Sequence, residues 1–599
     1  MVNKVSKVII EYLVNNGIDR FFFVTGGAIA PTIDYIGTKK GIEYYCFQHE
    51  QSAAMAAEAY YRVSGKIGAV LTTSGPGAQN LVNGVCGCWF ESVPCLFITG
   101  QVSTNESSDF IDMNPRQLGF QETDVVPMFK EFTKYCTKIT SVNEVQQKLE
   151  TALLSMREGR FGPVLIDIPV NVQTTNIEDF SDKIIEKNNI IQSPKIDTNI
   201  SQLNKLIGES KRPLFLLGNG IRLAGAIGLT KEVVEQTGIP FVVSWGGFDL
   251  LPHDHPQFVG DIGVYGSRGA NFAVQNCDLL IVLGSRLDTR QTGGDLKLFS
   301  RHSKKVMVDI DRNEVFKGRG LDIDLPIIHD VNDFLDRFLD KLTDESMVEK
   351  DWLNKIKEWK TKKYDKYENN ESLSSYKFLE ILDKNIADDS IIIPDEGGNL
   401  VWSIQSMNIK EKQRMFSNFG NSSMGYALPA SIGACIGSDK PIICIDGDGG
   451  FQMNIQELQT IKHYNLPIKI FILNNRCYGI IKQFQDAYFD SRYIATEGKD
   501  YSSPDFSKVA KAYDIPSVRV DINSNLEEEI QKVLSHDGPV LCEVMIDVNQ
   551  KLTPKLEFGN PLEDMSPYMT DSELEENMIV DMIERRDNSK GWVTLKIDK

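Results

Sequence analysis

Short apolar runs alternate with helix-like patterns along most of the chain. In a first stretch the apolar runs cover 21–24, 69–72, 96–99 and 164–168. A second stretch has them at 213–217, 241–243, 279–283 and 306–310, and a third at 391–394, 442–445 and 468–473. Runs without polar alternation are typical of parallel strands buried on both faces. The pattern predicts an α/β protein with three doubly wound parallel sheets.

Two polar stretches, 173–198 and 341–372, separate these regions. The second is highly charged, which is typical of a solvated helix or a linker. The predicted units are therefore 1–172, 199–340 and 373–550, followed by a polar tail, 551–599. The tail contains a few apolar residues, and its sequence leaves open whether it wraps over a domain or closes on a site.

The stretch 443–479 carries the strongest chemical pattern. Its first strand runs into Gly447-Asp448-Gly449-Gly450, and its second ends at Asn474-Asn475. Between them, a helix-like segment places Met453, Leu458 and Ile461 on one face. Ligands bind at the carboxyl ends of parallel strands, and glycines there allow backbone N–H groups to approach an anion. Asp and Asn oxygens suit Mg²⁺, so the unit predicts a site for a metal–diphosphate.

These residues resemble a known signature. Gly447-Asp448-Gly449 followed by Asn474-Asn475, with Asp448 and Asn475 separated by 475 − 448 = 27 positions, is similar to the motif of thiamine-diphosphate (ThDP) enzymes. The segment 72–85, TTSGPGAQNLVNGV, resembles the acetolactate-synthase-like branch of that family. The resemblance covers about 1–550 in the right order. It implies a pyrimidine-binding first domain, a central domain and a diphosphate-binding third domain.

The resemblance also implies residue roles. Glu50 would hydrogen-bond the aminopyrimidine ring, although a Glu at that position could simply stabilise a helix N-terminus. Met424 would bend the cofactor, the alternative being an ordinary core methionine. Gln121 and Gly27 match positions near the reacting carbon. Mg²⁺ would be held by Asp448, Asn475 and the carbonyl of Cys477. The full set of ThDP-binding positions is Glu50, Asn421, Met424, Gly447, Asp448, Gly449, Gly450, Asn475, Cys477, Tyr478 and Gly479.

The segment 277–294, CDLLIVLGSRLDTRQTGG, resembles the central domain of acetolactate synthases, where FAD lies. Arg160, Gly218, Arg286 and Asp309 fall on flavin-contacting positions of that pattern. A surface arginine, a turn glycine and a strand-end acid explain the same residues without a flavin. The sequence leaves both interpretations open.

Departures from the family surround the acceptor channel. A family Lys is absent at Pro169-Val170, Phe484 stands where the family has a Trp, and the loop between Gln101 and Phe120 is longer than the usual segment of the family. Arg290, which would bind the carboxylate of the second substrate, is retained. The predicted reaction is decarboxylation of pyruvate, a 2-keto acid, with transfer of the two-carbon unit to a carbonyl acceptor. Alternatives are a bulky acceptor such as a nucleotide-linked keto sugar, a C–C hydrolase or simple decarboxylase, and a non-catalytic scaffold subunit.

Charge and composition limit the kinds of partner that the protein is expected to bind. The formal charge is 64 − 83 = −19, which argues against a general nucleic-acid or anionic-membrane surface. The chain has no apolar run of 18 residues, and its start resembles an amphipathic helix rather than a signal peptide. Ten scattered cysteines without a zinc pattern favour a reducing, cytoplasmic setting. In the family the acid and the diphosphate site face each other across a subunit boundary, which implies a homodimer or homotetramer.

Overall fold

Three six-stranded parallel sheets form the framework of the molecule. The computed structural model describes residues 3–113, 115–178, 180–181, 184, 195–318, 320–342, 348–362 and 371–583. The predicted α/β class with three doubly wound sheets is confirmed. None of the helices in these ranges is long and apolar enough to cross a bilayer.

The first sheet has the spatial strand order Glu43–Cys46, Arg20–Phe23, Ala69–Thr72, Leu96–Gln101, Val164–Pro169, Tyr135–Lys138. Counted along the chain, this order is 2-1-3-4-6-5. The associated helices are Val5–Asn15, Ala30–Thr38, Glu50–Ser64, Pro76–Gln79, Val82–Glu91, Val126–Phe129, Val145–Ser155 and Val170–Thr174. A short antiparallel pair, Asn3–Lys4 with Asn176–Ile177, extends this unit past residue 172.

The third sheet repeats the order 2-1-3-4-6-5, with strands Arg414–Met415, Ile391–Pro394, Ile442–Gly447, Ile468–Asn474, Val540–Met545 and Ser517–Val520. Its helices are Ser375–Asn385, Gly398–Ser406, Ala427–Gly437, Asp448–Phe451, Leu458–His463, Gly479–Tyr488, Phe506–Ala512 and Leu526–Leu534. The expected helix after Gly447 is broken into short pieces. Leu458 and Ile461 are buried there, whereas Met453 is 49% exposed, so the predicted common face does not form.

The central sheet has the different order 3-2-1-4-5-6, with strands Phe258–Asp261, Phe241–Val243, Pro213–Leu217, Leu279–Leu283, Lys304–Asp309 and Leu325–Ile328. Its helices are Ile196–Glu209, Gly220–Leu223, Ile227–Thr237, Arg268–Asn276, Thr289–Thr292, Arg312–Val315 and Val331–Leu339. A further helix, Lys350–Thr361, lies in the charged stretch expected to be a solvated helix or linker. One face of it packs on the central domain, because Trp352, Ile356 and Trp359 are buried.

The first and third domains meet through two helices. Glu50–Ser64 packs along Ala427–Gly437, and both faces consist largely of alanine and glycine. A Cβ atom on Gly433 would lie 1.9 Å from the carbonyl oxygen of Ala56. The small residues therefore allow the two backbones to approach closely.

The described part of the tail binds the central domain and reaches the site. It contains the antiparallel pair Lys555–Leu556 with Met565–Ser566 and the helix Asp571–Asn577. Trp359 Nε1 donates to Asn577 Oδ1 at 2.9 Å, and the Arg301 guanidinium pairs with Glu563 at 2.8 Å. The tail is thus an ordered wall of the molecule from 551 to 583.

Candidate active site

Three oxygen atoms converge at two neighbouring strand ends of the third sheet. Strand Ile442–Gly447 leads into Asp448, and the adjacent strand Ile468–Asn474 leads into Asn475. Asn475 Oδ1 lies 3.1 Å from Asp448 Oδ1 and 2.7 Å from the carbonyl oxygen of Cys477. Oxygens bound to one octahedral Mg²⁺ at about 2.1 Å are themselves about 3 Å apart. The three oxygens therefore fit Mg²⁺; without a cation, rotation of the amide would turn both contacts into hydrogen bonds.

The backbone turn after Asn475 aims the third ligand. Arg476 has a φ of 57°, in the left-handed region that non-glycine residues rarely adopt. Its N–H donates to Asn474 Oδ1 at 3.1 Å, and Asn474 Nδ2 donates to Glu543 Oε1 at 2.8 Å. Within the described residues, no group of three or more His, Cys, Asp or Glu side chains could hold a metal. The mixed set of carboxylate, amide and carbonyl oxygens is thus the metal site that the geometry supports.

A cavity of about 790 Å³ opens beside this triad. Residues of the third domain form much of its wall. The remainder comes from the central domain, which includes Tyr265, Arg286 and Arg290, and from 555–558 of the tail. The predicted site residues on this wall are Arg286, Arg290, Met424, Gly447, Asp448, Gly449, Gly450, Asn475, Cys477, Tyr478 and Gly479.

Two glycines form the floor next to Asp448. A Cβ on Gly449 would lie 2.2 Å from the Tyr478 ring, and one on Gly450 would lie 2.1 Å from Asp395 Oδ2. Any side chain here would displace these neighbours. The backbone consequently remains open toward the cavity, as close approach of a diphosphate requires.

Met424 is held at the cavity wall by its neighbour. Gly425 has a φ of 80°, its N–H donates to Asp395 Oδ2 at 2.9 Å, and its carbonyl accepts from Asn454 Nδ2 at 2.7 Å. The side chain of Met424 is half-buried and faces the cavity. This placement differs from that of an ordinary core methionine.

Burial shapes the electrostatics of the acids. It raises the pKa of Asp448 to about 6, while the hydroxyl of Tyr501, which donates to Oδ2 at 2.8 Å, opposes the shift. Burial and the nearby Asp395 raise the pKa of Glu396 to about 8. Glu396 also lines the cavity and accepts from Ser417 and Ser422 at 3.2 and 3.1 Å. A cation beside Asp448 would reverse its shift by favouring the carboxylate.

Glu50, Gly27 and Gln121 come together elsewhere, at the carboxyl edge of the first sheet. The loop 73–77 connects them. Ala28 N–H, next to Gly27, donates to Thr73 Oγ1 at 3.3 Å, and a Cβ on Gly75 would lie 2.9 Å from the Gln121 carbonyl oxygen. The carboxylate of Glu50 is buried and accepts from Asn80 Nδ2 at 2.9 Å.

None of these three residues lines the cavity that contains Asp448. Asn421 is also separate from it, because its Nδ2 donates to Asn83 Oδ1 at 2.8 Å beside the helix that begins at Glu50. Within one chain, the site residues thus form two groups on different domains.

A second groove borders the central sheet and joins the cavity through Arg286, Asp288 and Gln291. Arg160 and Asp309 line it, and Arg160 pairs with Asp311 and Glu314 at 3.1 and 2.8 Å. Burial raises the pKa of Asp309 to about 6. Gly218 lies behind the groove, where a Cβ would meet the Gly284 carbonyl oxygen at 2.3 Å. The packing therefore explains Gly218 as a turn glycine.

Arg290 lies on the cavity wall with its charge available. Its guanidinium is over the ring of Tyr265, 5.6 Å from the centroid. No carboxylate in the described ranges forms an ion pair with it. Asp288 is engaged elsewhere, since it caps the Thr289–Thr292 helix and pairs with Arg286 at 3.4 Å.

Three residues of this wall or its support had no role predicted from the sequence: Glu396, Tyr501 and Lys555. Glu396 is the second residue after the buried strand Ile391–Pro394, and this position near a strand end is a usable signal. Tyr501 and Lys555 are far along the chain from every motif, so only the tertiary fold brings them near Asp448 and Arg290.

Comparison with known proteins agrees with this geometry. Models described as thiamine pyrophosphate enzyme match in three parts: the N-terminal TPP binding domain at 3–128, the central domain at 200–338 and the C-terminal TPP binding domain at 395–544. An acetolactate synthase large subunit of Cyanidium caldarium is 35% identical over 568 residues, covering 92% of this chain and 94% of that protein. The Escherichia coli acetolactate synthase isozyme 2 large subunit is 32% identical, with 92% and 97% covered. The chain therefore belongs to the thiamine diphosphate enzymes, in the family of the acetolactate synthase large subunits.

Proposed function

We propose that this protein decarboxylates pyruvate and joins the two-carbon unit to a second 2-keto acid, giving an acetohydroxy acid, with ThDP and Mg²⁺ as cofactors. The convergence of the Asp448, Asn475 and Cys477 oxygens on one point is the observation that carries this proposal. The names of the relatives support the reaction and do not favour a hydrolase, a simple decarboxylase, a bulky ketone acceptor or a scaffold.

The chain's own residues divide the work. ThDP, when bound, supplies an electron sink for the acyl carbanion that decarboxylation produces. Asp448, Asn475 and the Cys477 carbonyl would hold Mg²⁺, and Gly449 and Gly450 would leave the backbone open to the diphosphate. Met424 forms the wall beside the cofactor. Glu50, whose carboxylate accepts a hydrogen bond from Asn80, would hold or release a proton at the pyrimidine ring.

Two chains are required to assemble one site. Glu50, Gly27 and Gln121 do not line the cavity of their own chain that contains Asp448. Close to Gln121, Met113 and Phe120 are 77% and 85% exposed, and such apolar surface is suited to burial against another chain. We assign the first domain of one protomer to the pyrimidine and the third domain of its partner to the diphosphate. The unit is a homodimer, or a homotetramer of two such dimers.

Product analysis tests the function directly. Purified protein supplied with pyruvate, ThDP and Mg²⁺ should form acetolactate and CO₂, which mass spectrometry identifies. Omission of either cofactor should abolish product. Release of acetaldehyde alone, or turnover only after addition of a bulky ketone, would contradict the proposal.

The proposal includes binding of FAD and a cytoplasmic location for the protein. Arg160, Arg286 and Asp309 line the groove that would hold FAD. Heat denaturation of the purified protein should release FAD detectable by its absorbance, and an Arg160→Ala variant should retain less. All ten cysteines are free thiols, which supports a reducing compartment such as the cytoplasm.

A further inference from the structure

Lys555 is a buried lysine on the wall of the active-site cavity. Its side chain comes from the tail, where Lys555 pairs with Ser566 across a two-stranded sheet and Leu556 N–H donates to the Val264 carbonyl at 2.7 Å. The residue is only 7% exposed, and it lines the cavity. Its Nζ lies 5.9 Å from the centroid of the Tyr488 ring.

Among the residues that the structure describes, no counterion contacts the ammonium group of Lys555. Across the ranges that the structure describes, no carboxylate forms an ion pair with Nζ and no acceptor forms a hydrogen bond with it. The nearest acid along the chain, Glu557, accepts instead from the Tyr568 hydroxyl at 2.6 Å. A buried cation without a partner carries a large desolvation cost, which a bound anion would offset.

Arg290 supplies a second unpaired cation to the same cavity. Burial lowers the pKa of Lys555, Glu557 opposes the shift, and the positive charge of Arg290 adds to it, so the two groups interact through space. Tyr265 and Tyr488 present their ring faces to these cations, and Phe484 packs 4.8 Å from Tyr488. The wall therefore combines two positive charges with an aromatic surface.

We propose that Lys555, together with Arg290, binds the carboxylate of the acceptor 2-keto acid. The inference rests on the proposed function and adds to it a residue from the tail that selects for charged acceptors. Lys555 does not contribute to decarboxylation of the donor. A neutral aldehyde of the same carbon skeleton gains nothing from it.

Acceptor kinetics test this role. Lys555→Met keeps the length of the side chain and removes its charge. With pyruvate as donor, its KM for 2-oxobutyrate should rise about tenfold to a hundredfold, the loss expected for a charge-assisted hydrogen bond. The KM for propanal, which is 2-oxobutyrate without the carboxylate, should stay unchanged. CO₂ release in a single turnover without acceptor should also be unchanged.

Two variants complete the design. Lys551→Met, a half-exposed lysine of the same segment outside the cavity wall, should behave as wild type. Lys555→Arg should restore much of the 2-oxobutyrate affinity. Thermal unfolding checks that each variant is folded.

The possible outcomes separate the two proposals. An unchanged KM for 2-oxobutyrate in Lys555→Met, or an equal loss with propanal, overturns the role of Lys555 while leaving the function intact. A wild-type protein that releases CO₂ from pyruvate but joins no acceptor overturns the proposed function itself.

Discussion

The first and third domains share one strand order but differ in the residues that come directly after each strand. The third strand of the first sheet ends at Thr72 and continues into the loop 73–77, which touches Glu50. The third strand of the third sheet ends at Gly447 and continues into Asp448. The same framework thus positions the buried acid Glu50 on one domain and the predicted Mg²⁺ ligand Asp448 on the other. Function here depends on a few residues at the strand ends and not on the fold.

A buried acid at equivalent positions extends this comparison. Asp167 and Glu543 are each the fourth residue of the sixth strand, and each is in register with a basic residue on the fifth strand, Lys138 or Arg519. Arg519 pairs with Glu543 at 2.6 Å, whereas Lys138 pairs with Asp109 at 2.7 Å. Asp167 accepts from Thr99 and Gln101 instead. The two similar sheets thus stabilise a buried acid at the same position by different contacts, an ion pair in the third sheet and hydrogen bonds in the first.

The largest effect should come from loss of the predicted Mg²⁺ ligand Asp448. Asp448→Asn removes the only charged Mg²⁺ ligand of the triad, so acetolactate formation should fall by about a thousandfold or more. Isothermal titration should show loss of Mg²⁺-dependent ThDP binding. Asp500→Asn, an exposed control, should match wild type. Unaltered ThDP binding by Asp448→Asn would show that Asp448 on the third domain is not needed to bind the cofactor.

Loss of the acid on the first domain should be nearly as severe. Glu50→Gln keeps the shape of the side chain and the contact with Asn80 but cannot ionise. Turnover should fall by about 10²–10⁴-fold, the range for general acid–base groups, while ThDP binding persists. The titration used for Asp448→Asn distinguishes the two variants. Normal turnover by Glu50→Gln would show that its carboxylate serves only the helix N-terminus.

Mixing the two inactive variants sharpens the comparison. If each site takes Glu50 from one protomer and Asp448 from its partner, co-expression of Glu50→Gln and Asp448→Asn chains creates mixed dimers with one intact site. Random pairing then restores about a quarter of wild-type activity. Recovery absent from mixed dimers isolated with two affinity tags would place both residues in one chain.

Asp167 should make the stability of the protein depend on pH. Burial raises the pKa of Asp167 to about 7, and the hydrogen bonds from Thr99 and Gln101 oppose the shift. Because the folded-state pKa exceeds the unfolded one, the stability that this group contributes is present below about pH 4 and is lost as pH rises toward 7. Asp167→Asn should therefore gain about 2–4 kcal/mol relative to wild type between those limits. Denaturant unfolding at several pH values measures this difference.

Glu543→Gln is the matched control for that experiment. It removes the partner of Arg519 and should destabilise the protein at neutral pH, where Asp167→Asn performs best relative to wild type. The same pH response in both variants would mean that the two acids are equivalent after all.

The smallest effect concerns the contact between the domains. Gly433→Ala places a methyl group against the Ala56 carbonyl, and overpacking of this kind costs about 1–3 kcal/mol. Gly228→Ala, also within a helix but with open space around it, should be neutral or slightly stabilising. Thermal unfolding compares the pair. Equal melting temperatures would show that the domains can separate slightly without cost.

The sequence predicted the parts of the molecule that depend on local pattern. The long apolar runs at 279–283 and 468–473 are central strands, and the motif around Asp448 and Asn475 does converge. The pattern of apolar runs does not predict edge strands such as Glu43–Cys46 and Ser517–Val520, because these strands are largely exposed and lack an apolar run. The high charge of 341–372 predicts a solvated helix or a linker, whereas the helix Lys350–Thr361 buries Trp352 and Trp359.

The sequence did not predict contacts between residues that are far apart along the chain. Tyr501 contacts Asp448 across 53 positions, and Lys555 approaches Arg290 only because the tail folds back over the central domain. No periodicity or spacing encodes such contacts. They arise from the way separately predictable units pack together.

The part of the cavity wall that bears Lys555 is structurally separate from the three large sheets. This wall belongs to a segment that adds no strand to any of the three large sheets. Exchanging 551–583 between relatives would transplant a preference for co-substrates while sparing every inherited metal ligand. If Lys555 selects charged acceptors as proposed, changing this one segment would alter which molecules the protein builds.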